Sequence, residues 1–140
     1  MHSIDRFRDE YHFLSNFYPI EIEYKGLIYP SLEHAYQADK TNDIKTKQEI
    51  INTKSPGLAK KMGRKVKMRN DFNSILTMFE LLTIKFNNPQ MRELLLSTGD
   101  AILIEGNDWN DTFWGVCNGK GKNVLGKLLM KVRNNLTKGS

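Results

Sequence analysis

The sequence lacks a second cysteine and any long apolar run. With Cys117 as the one cysteine among 140 residues, an intramolecular disulfide is impossible, and the lone thiol fits a reducing compartment. No stretch approaches the roughly 18 apolar residues that a membrane-spanning helix needs. The first residues also lack the apolar run of a signal peptide. We therefore expect a cytoplasmic protein that makes no membrane contact.

Metal ligands and nucleophile motifs are also scarce. His2, His12 and His34 form no pair at the spacing of metal ligands, and one cysteine cannot build a thiolate site. No nucleophile elbow and no Walker A motif is present. We therefore expect no metal and no cofactor, and we interpret His34 as a structural histidine.

The chain is long enough to bury a hydrophobic core, and it shows no internal repeat and no obvious linker. We predict a single domain over residues 1–136, followed by a flexible tail at residues 137–140. Apolar and charged residues alternate over 20–24, and Lys25-Gly26 then suits a tight turn, which predicts a small hairpin. Residues 101–105 read as a buried strand. Helices are predicted at 31–40, 43–52, 56–63, 73–87, 89–97 and 123–134. The expected fold class is α+β, predominantly helical with a small β-sheet.

The net charge of +5 is unevenly distributed. Residues 40–70 hold ten Lys or Arg against two acids, and residues 120–140 hold six against none. Two basic segments in one small domain could bind a phosphate-bearing ligand or a nucleic-acid backbone. The alternative is that these lysines only increase solubility. Charge alone does not decide between the two.

The segment Ser31–Lys40 has an unusual density of polar side chains for a short helix. Glu33 and Lys40 are seven residues apart, close to two helical turns at about 3.6 residues per turn, so they share one face. Gln37 lies on the same face, four residues after Glu33. The pattern favours a functional helix that presents an acid and an amine on one face. The alternative is a solvated surface helix with one loose ion pair.

Two loop segments add further candidates. Residues 105–115 hold two aspartates and two tryptophans, and a tryptophan offers a stacking face for a nucleobase or a sugar. The alternative is that Trp109 and Trp114 pack beneath the loop. Residues 119–126 place glycines before a helix, as anion-binding sites do. Within that segment we interpret Gly126 as a residue that permits close packing.

Several segments together match a known pattern. They are Phe13-Leu14-Ser15-Asn16-Phe17, Ser31-x-Glu33-His34-Ala35-Tyr36-Gln37-Ala38-x-Lys40, Gly63-Arg64-Lys65-Val66, Lys85-Phe86, Thr98-Gly99, Asp111-x-x-Trp114-Gly115 and Gly121-x-Asn123-x-Leu125-Gly126-x-x-Leu129-Met130-x-x-Arg133. In this order, over roughly residues 13–133, they resemble the NADAR (YbiA-like) family of N-glycosidases. Two positions depart from the family pattern: Cys117 stands where glycine is frequent, and Phe72 where tryptophan is frequent. The first could reshape the substrate loop, and the second is expected to affect packing only.

The resemblance implies hydrolysis of the bond between ribose C1′ and nitrogen in a phosphorylated ribosyl conjugate. Two substrate classes are associated with the family: ADP-ribose on the amino group of guanine, and early riboflavin-pathway intermediates that carry ribose 5-phosphate. We favour the first, because basic segments suit nucleic acid better than a small metabolite. A non-catalytic module that binds ADP-ribose or nucleic acid is the third alternative. The sequence leaves the oligomeric state open.

The family motifs also imply roles for individual residues. We expect Glu33 to act as proton shuttle or general base, Lys40 as nucleophile or electrostatic catalyst, and Asp111 as a ribose-binding or catalytic carboxylate. To attack C1′, Lys40 would need a lowered pKa. The expected substrate-binding residues are Asn16, Phe17, Tyr36, Gln37, Arg64, Trp114, Gly115, Gly121 and Asn123.

Overall fold

The structure is a computed structural model that describes residues 2–138. In chain order the elements are β1 (Ser3–Ile4), a 3₁₀-helix (Asp9–Leu14), β2 (Pro19–Tyr24), β3 (Leu27–Ser31), α1 (Leu32–Ala38), α2 (Ile44–Ile51), α3 (Pro56–Gly63), α4 (Ser74–Asn87), α5 (Pro89–Leu96), β4 (Ile102–Leu103) and α6 (Val124–Lys138). The predicted α+β class, mainly helical with little sheet, is confirmed. None of these helices combines the length and the apolar character needed to cross a bilayer.

The chain forms two compact units, and each is described by itself. The central unit is Asn16–Lys85, and the terminal unit combines Met1–Ser15 with Phe86–Ser140. The boundary falls within α4. The single domain expected over residues 1–136 stays a prediction. Of the expected flexible tail, Thr137 and Lys138 are the last residues of α6, and residues 139–140 lie outside the described part of the chain.

The central unit begins with the predicted hairpin, in which β2 and β3 pair antiparallel. Its two-residue loop has positive φ at both positions, 50° at Lys25 and 86° at Gly26. Such loops match the right-handed twist of the flanking strands. The strand β3 includes Pro30 and ends at Ser31. A two-stranded sheet has only edge strands, where proline is tolerated.

Side-chain caps fix the starts of the following helices, which is why the sequence located them well. Ser31, Asp43 and Ser55 each accept a hydrogen bond from a backbone N–H in the first turn of α1, α2 and α3. Asn88 does the same for α5 in the terminal unit. An unpaired N–H at each helix start is thereby satisfied, which contributes about 1 kcal/mol per cap.

The terminal unit is built around a short parallel pairing that the sequence did not predict. Ser3 and Ile4 of β1 pair with Ile102 and Leu103 of β4. The helix α6 packs on β4, and a Cβ added to Gly126 would lie 2.1 Å from the Leu103 carbonyl oxygen. The predicted close-packing role of Gly126 is confirmed.

In the central unit, α3 approaches α1 at a glycine. A Cβ added to Gly63 would lie 1.9 Å from Oε1 of Gln37 and 2.6 Å from its Cδ. The Gln37 amide therefore occupies the space that any larger residue at position 63 would need. Gly57, on the same helix, has only Ser55 Oγ nearby, at 3.8 Å from the added Cβ.

The central unit also contains a buried amine, that of Lys85, which is 1% exposed. Its Nζ lies 5.6 Å from the centre of the Tyr18 ring. Burial lowers the pKa of Lys85 from 10.5 to about 7, since the charged form loses its hydration.

We predict that Gly63→Ala destabilises the protein and Gly57→Ala does not. Alanine normally stabilises a helix by up to about 1 kcal/mol relative to glycine, and we expect this gain at position 57. At position 63 the clash with Gln37 reverses the sign, with a loss of about 1–3 kcal/mol as in other overpacked cores. Urea unfolding of both variants measures the difference. Equal stabilisation by the two substitutions would show that Gln37 does not fill the space beside Gly63.

We predict that the stability of the wild type rises with pH relative to Lys85→Met. Below pH 7 the amine is protonated in the folded and unfolded states, so the cost of burying its charge is fully present. Between pH 7 and 10.5 the unfolded chain binds more protons than the folded one, so stability increases with pH across this window. Thermal unfolding midpoints across this range measure the effect, with Lys67→Met, at an exposed position, as the control. Parallel curves for wild type and Lys85→Met would contradict this prediction.

Candidate active site

The helix α1 is buried along its whole length. Each of its residues is buried, and Glu33 and Gln37 are only 6% and 4% exposed. Carboxylates are rarely buried unless they are paired or functional. The alternative of a solvated surface helix with a loose ion pair is therefore wrong.

His34 has its ring nitrogens engaged within the central unit. Its Nδ1 lies 2.7 Å from Ser31 Oγ and its Nε2 lies 3.4 Å from the Thr53 carbonyl oxygen. A carbonyl only accepts, so the consistent assignment puts the ring proton on Nε2. Burial lowers the pKa of His34, and the bond to Thr53 opposes this only partly. These contacts agree with the interpretation of His34 as a structural histidine.

Glu33 and Gln37 form a hydrogen-bonded pair on α1. Nε2 of Gln37 donates to Oε2 of Glu33 at 2.5 Å. The backbone N–H of Glu33 donates to the Asn16 carbonyl oxygen at 3.1 Å. Among the described residues, the buried oxygens Gln37 Oε1 and Asn16 Oδ1 accept no hydrogen bond. Both oxygens are closed to solvent, and Gln37 Oε1 faces Gly63. An unsatisfied buried acceptor costs about 1–3 kcal/mol.

Lys40 follows α1 and is half-buried, with its Nζ 5.6 Å from the centre of the Tyr36 ring. Burial is the main cause that lowers its pKa; the positive charges of Arg64 and Lys60 act in the same direction, and Glu33 opposes them. A lowered pKa increases the fraction of neutral amine, which is the nucleophilic form. The helix α1 ends at Ala38, so Lys40 is not on the helical face predicted for it, but the charges of Glu33 and Lys40 interact.

A buried carboxylate that the sequence analysis did not select holds the backbone at Lys40. Asp39 is 1% exposed and accepts from Lys25 Nζ at 2.9 Å and from Thr77 Oγ1 at 2.8 Å. Arg69 donates from Nη2 to the Asp39 carboxylate at 3.1 Å and from Nε to the Asp39 carbonyl oxygen at 2.8 Å. The Arg69 backbone N–H donates to the Lys40 carbonyl oxygen at 2.7 Å. These bonds fix the chain on both sides of the Lys40 Cα.

One signal could have identified Asp39 in the sequence. An acid at the C-terminal end of a helix is unfavourable for the helix dipole, so it suggests a nearby cation. Its partners Lys25, Arg69 and Thr77 are remote in sequence and were not predictable. The burial of Lys85 was not predicted for a different reason: the side chain of a lysine in an apolar helix usually reaches solvent.

In the terminal unit, Asp111 organises the loop that carries the tryptophans. Its Oδ1 accepts from the backbone N–H of Phe113 at 3.1 Å and of Trp114 at 2.9 Å. Asn107, itself 2% exposed, accepts from the Asp111 N–H at 3.0 Å and donates to the Asp111 carbonyl oxygen at 2.9 Å. Asp111 therefore shapes the turn before Trp114. Its role in ribose binding or catalysis stays a prediction.

The two tryptophans differ in exposure. Trp109 is 60% exposed, so packing beneath the loop is wrong for this residue. Trp114 is half-buried and meets the Phe113 ring edge to face, with centroids 4.9 Å apart and an interplanar angle of 85°. Its predicted role as a stacking face for the substrate stays a prediction.

The start of α6 differs from the anion site that we expected. The backbone N–H groups of Asn123, Val124 and Leu125 donate to carbonyl oxygens in residues 113–115, at 3.3, 3.1 and 3.0 Å. These amides are therefore not available to a phosphate. The Asn123 side chain instead joins α6 to β4, where it donates to the Leu103 carbonyl at 2.9 Å and accepts from the Glu105 N–H at 2.9 Å.

Gly115 and Gly121 lie where the backbone approaches closely. A Cβ on Gly115 would lie 2.1 Å from the Glu105 carbonyl oxygen, and one on Gly121 would lie 2.1 Å from the Gly115 carbonyl oxygen. Gly121 also has φ of 149°, which disfavours other residues. Packing alone explains both glycines, and phosphate contacts by Gly115, Gly121 and Asn123 stay predictions.

The remaining predicted residues belong to the central unit. Phe17 is 38% exposed, and Arg64 is exposed at the C-terminal end of α3. Tyr36 is 7% exposed and packs edge to face on Phe72, with centroids 5.7 Å apart. Phe72, where the family often has tryptophan, also lies 5.6 Å from the Arg69 guanidinium, in agreement with the expected packing role. The central unit thus holds Asn16, Phe17, Glu33, Tyr36, Gln37, Lys40 and Arg64, and the terminal unit holds Asp111, Trp114, Gly115, Gly121 and Asn123.

Comparisons with known proteins agree with the motifs. A family model of the NADAR domain matches residues 4–137. The N-glycosidase YbiA of Shigella boydii is 40% identical over 134 residues, which cover 91% of this chain and 83% of that protein. A riboflavin biosynthesis protein of Vibrio vulnificus is 37% identical over 91% of this chain, which corresponds to 36% of that longer protein. The NMR structure of E. coli YbiA superposes with a TM-score of 0.82 and 36% identity, covering 99% of this chain and 89% of the YbiA chain. The chain therefore belongs to the NADAR domain family.

Proposed function

We propose that this chain is an N-glycosidase that hydrolyses the bond between ribose C1′ and nitrogen in a phosphorylated ribosyl conjugate, with ADP-ribose on the amino group of guanine as its substrate. Relatives named N-glycosidases support the enzyme class. The observation that carries the proposal is the buried Glu33–Gln37 pair next to an amine, Lys40, whose pKa is lowered. Pure binding requires neither a buried acid nor a neutral amine, so a non-catalytic module is disfavoured.

The unpartnered acceptors suit a sugar. Ribose hydroxyls are donors, and Gln37 Oε1 and Asn16 Oδ1 are buried acceptors without a donor among the described residues. Both oxygens are closed to solvent and Gln37 Oε1 faces Gly63, so a ribose held beside Glu33 would bond to them only after the two amide side chains turn toward it. Phe17 would offer a face for the base, and Arg64 would contact a phosphate.

The chemistry follows from charge development at C1′. Cleavage of the C1′–N bond leaves positive charge on C1′ and O4′, and the Glu33 carboxylate stabilises this charge. The bond's electron pair and a proton from solvent go to the guanine nitrogen. The neutral Nζ of Lys40 bonds to C1′ and loses a proton to Glu33. The C1′–O4′ bond then opens, Glu33 returns this proton to O4′, and an iminium forms between C1′ and Lys40. Water adds to the iminium and releases one proton to solvent, and cleavage of the C1′–Nζ bond frees ADP-ribose and the neutral amine.

A simpler route uses the same residues without a covalent intermediate. Glu33 removes a proton from water, and the water oxygen bonds to C1′ as the C1′–N bond breaks. Lys40 in its charged form stabilises the negative charge that develops on the guanine nitrogen, which then takes the proton from Glu33. The two routes differ in the form of Lys40 that is active. They also differ in whether a reducing agent can trap an adduct.

A second candidate substrate is an early riboflavin-pathway intermediate. It also presents ribose C1′ bonded to nitrogen and a nearby phosphate, so the same residues would act on it. The observation that favours it is the similarity to proteins named for riboflavin biosynthesis.

We predict that Glu33→Gln and Lys40→Ala each lower kcat by about 10²–10⁴-fold, the usual contribution of a positioned acid–base group. Release of ribosyl product from ADP-ribosylated guanine in DNA and, separately, from riboflavin intermediates measures the effect. Lys67→Ala, at an exposed position, serves as the control. Borohydride should trap a Lys40 adduct during turnover. Full activity of Lys40→Ala would exclude the covalent route, and turnover of neither substrate by the wild type would exclude the proposed function.

We predict that kcat rises with pH as Lys40 loses its proton, at a pH below the ordinary range of lysine. Lys60→Gln removes one positive charge that lowers the pKa of Lys40, so the pKa should rise and the ascending limb should move to higher pH. The shift should be modest, because burial is the larger cause. The pH–rate profile of Lys60→Gln beside that of Lys67→Gln measures it. If the ascending limb does not move, a group other than Lys40 governs the pH–rate profile.

A further inference from the structure

The helix α3 and the loop after it form the most basic part of the central unit. Residues 50–70 contain seven Lys or Arg and no carboxylate. Lys61, in the last turn of α3, is exposed, and so are Arg64, the C-cap of the helix, and Lys65, which follows it. We call these three residues the α3 cationic stripe. The opposite face, with Ala59 and Gly63, is buried.

The positive charges of this stripe repel one another, although each of them interacts favourably with the C-terminal end of the helix dipole. No acid on α3 offsets them, although a soluble surface normally intersperses both signs. The central unit pairs cations with acids elsewhere, at Asp39 with Lys25 and Arg69. A polyanion bound along the stripe would relieve the repulsion.

The stripe also extends to the candidate active site. The charges of Arg64 and Lys60 act on Lys40, so the cations of α3 lie within electrostatic reach of the proposed nucleophile. Gly63, between Met62 and Arg64 on the same helix, packs against Gln37. Gly63 is on the face opposite the stripe, so a polymer on the stripe reaches these residues around the C-terminal end of α3, where Arg64 follows Gly63.

We propose that the α3 cationic stripe binds the phosphodiester backbone of single-stranded nucleic acid and thereby delivers a modified base to Glu33 and Lys40. The inference rests on the proposed removal of ADP-ribose from guanine. Chemistry on a base requires that the base leaves the stack, and a single strand permits this at the lowest cost. The backbone contacts carry affinity and no sequence preference.

The test is binding of an unmodified fluorescent oligonucleotide, followed by anisotropy at several salt concentrations. Lys61→Gln combined with Lys65→Gln removes two charges outside the catalytic residues. Each phosphate contact contributes about 0.7 to the slope of log K against log salt for single strands. We therefore expect the slope to fall by about 1.4 and the affinity at 0.1 M salt to fall roughly 10–30-fold. Lys127→Gln with Lys131→Gln, two exposed lysines four residues apart on α6, is the matched control.

The variant should fold normally, because removal of one like-charged pair raises the unfolding midpoint or leaves it unchanged. DNA and RNA strands of the same sequence should show the same loss if the backbone phosphates are bound. If the variant bound only the DNA or only the RNA strand more weakly, the sugar would be recognised, and this would overturn the proposal. Equal affinity and slope for the stripe variant and the α6 control would also overturn it.

Turnover separates this inference from the proposed function. For a small ribosyl substrate without a polynucleotide, the stripe variant should keep the wild-type kcat/KM, whereas on ADP-ribosylated DNA its kcat/KM should fall with its affinity. If the wild type cleaves both substrates and the variant matches it on DNA, the stripe proposal fails and the N-glycosidase proposal stands. If the wild type cleaves neither but oligonucleotide binding depends on Lys61 and Lys65, the enzyme proposal fails and the binding surface stands.

Discussion

The buried carboxylate of Asp39 is the group on which the geometry of the central unit depends. An uncompensated buried charge costs several kcal/mol, so Asp39 requires the donors that surround it. Lys25 reaches it from the hairpin turn, Arg69 from the loop after α3, and Thr77 from α4. One side chain thus ties three parts of the unit to the end of α1. Lys40 is the next residue, so its position follows from the satisfaction of its neighbour's charge.

Burial has two consequences, one in α1 and one at Lys40, which follows it. It leaves polar atoms such as Gln37 Oε1 without water, and it disfavours the charged form of Lys40. Both effects reduce stability, and both are useful to an enzyme that must hold a sugar and present a neutral amine. Functional sites commonly concentrate such locally unfavourable features, and the surrounding structure offsets them. The clash expected at Gly63 shows that α3 packs closely against the Gln37 side chain of α1.

The sequence predicted those elements whose signals are local. Ser31, Asp43, Ser55 and Asn88 mark helix starts because a cap acts within one turn, and Lys25-Gly26 marks the hairpin because its loop requires positive φ. The pairing of β1 with β4 was missed because two-residue strands carry no periodicity. Helical spacing predicted the face shared by Glu33 and Gln37, whereas the burial of α1 and the contacts of Asp39 depend on partners far away in sequence. At the start of α6, a glycine-rich pattern suggested phosphate binding, but the N–H groups of residues 123–125 donate to backbone carbonyl oxygens.

The order of pairing along the chain has a consequence for biosynthesis. The residues of the central unit are consecutive, so the ribosome supplies all its contacts before it reaches α5. The partner of β1, in contrast, is β4, and Ser3 pairs with Ile102. At translation rates of about 5–20 residues per second, the first strand waits roughly 5–20 seconds for its partner to be made. During that interval Ile4 and Phe7, both buried in the finished protein, are apolar groups that a nascent-chain chaperone can bind.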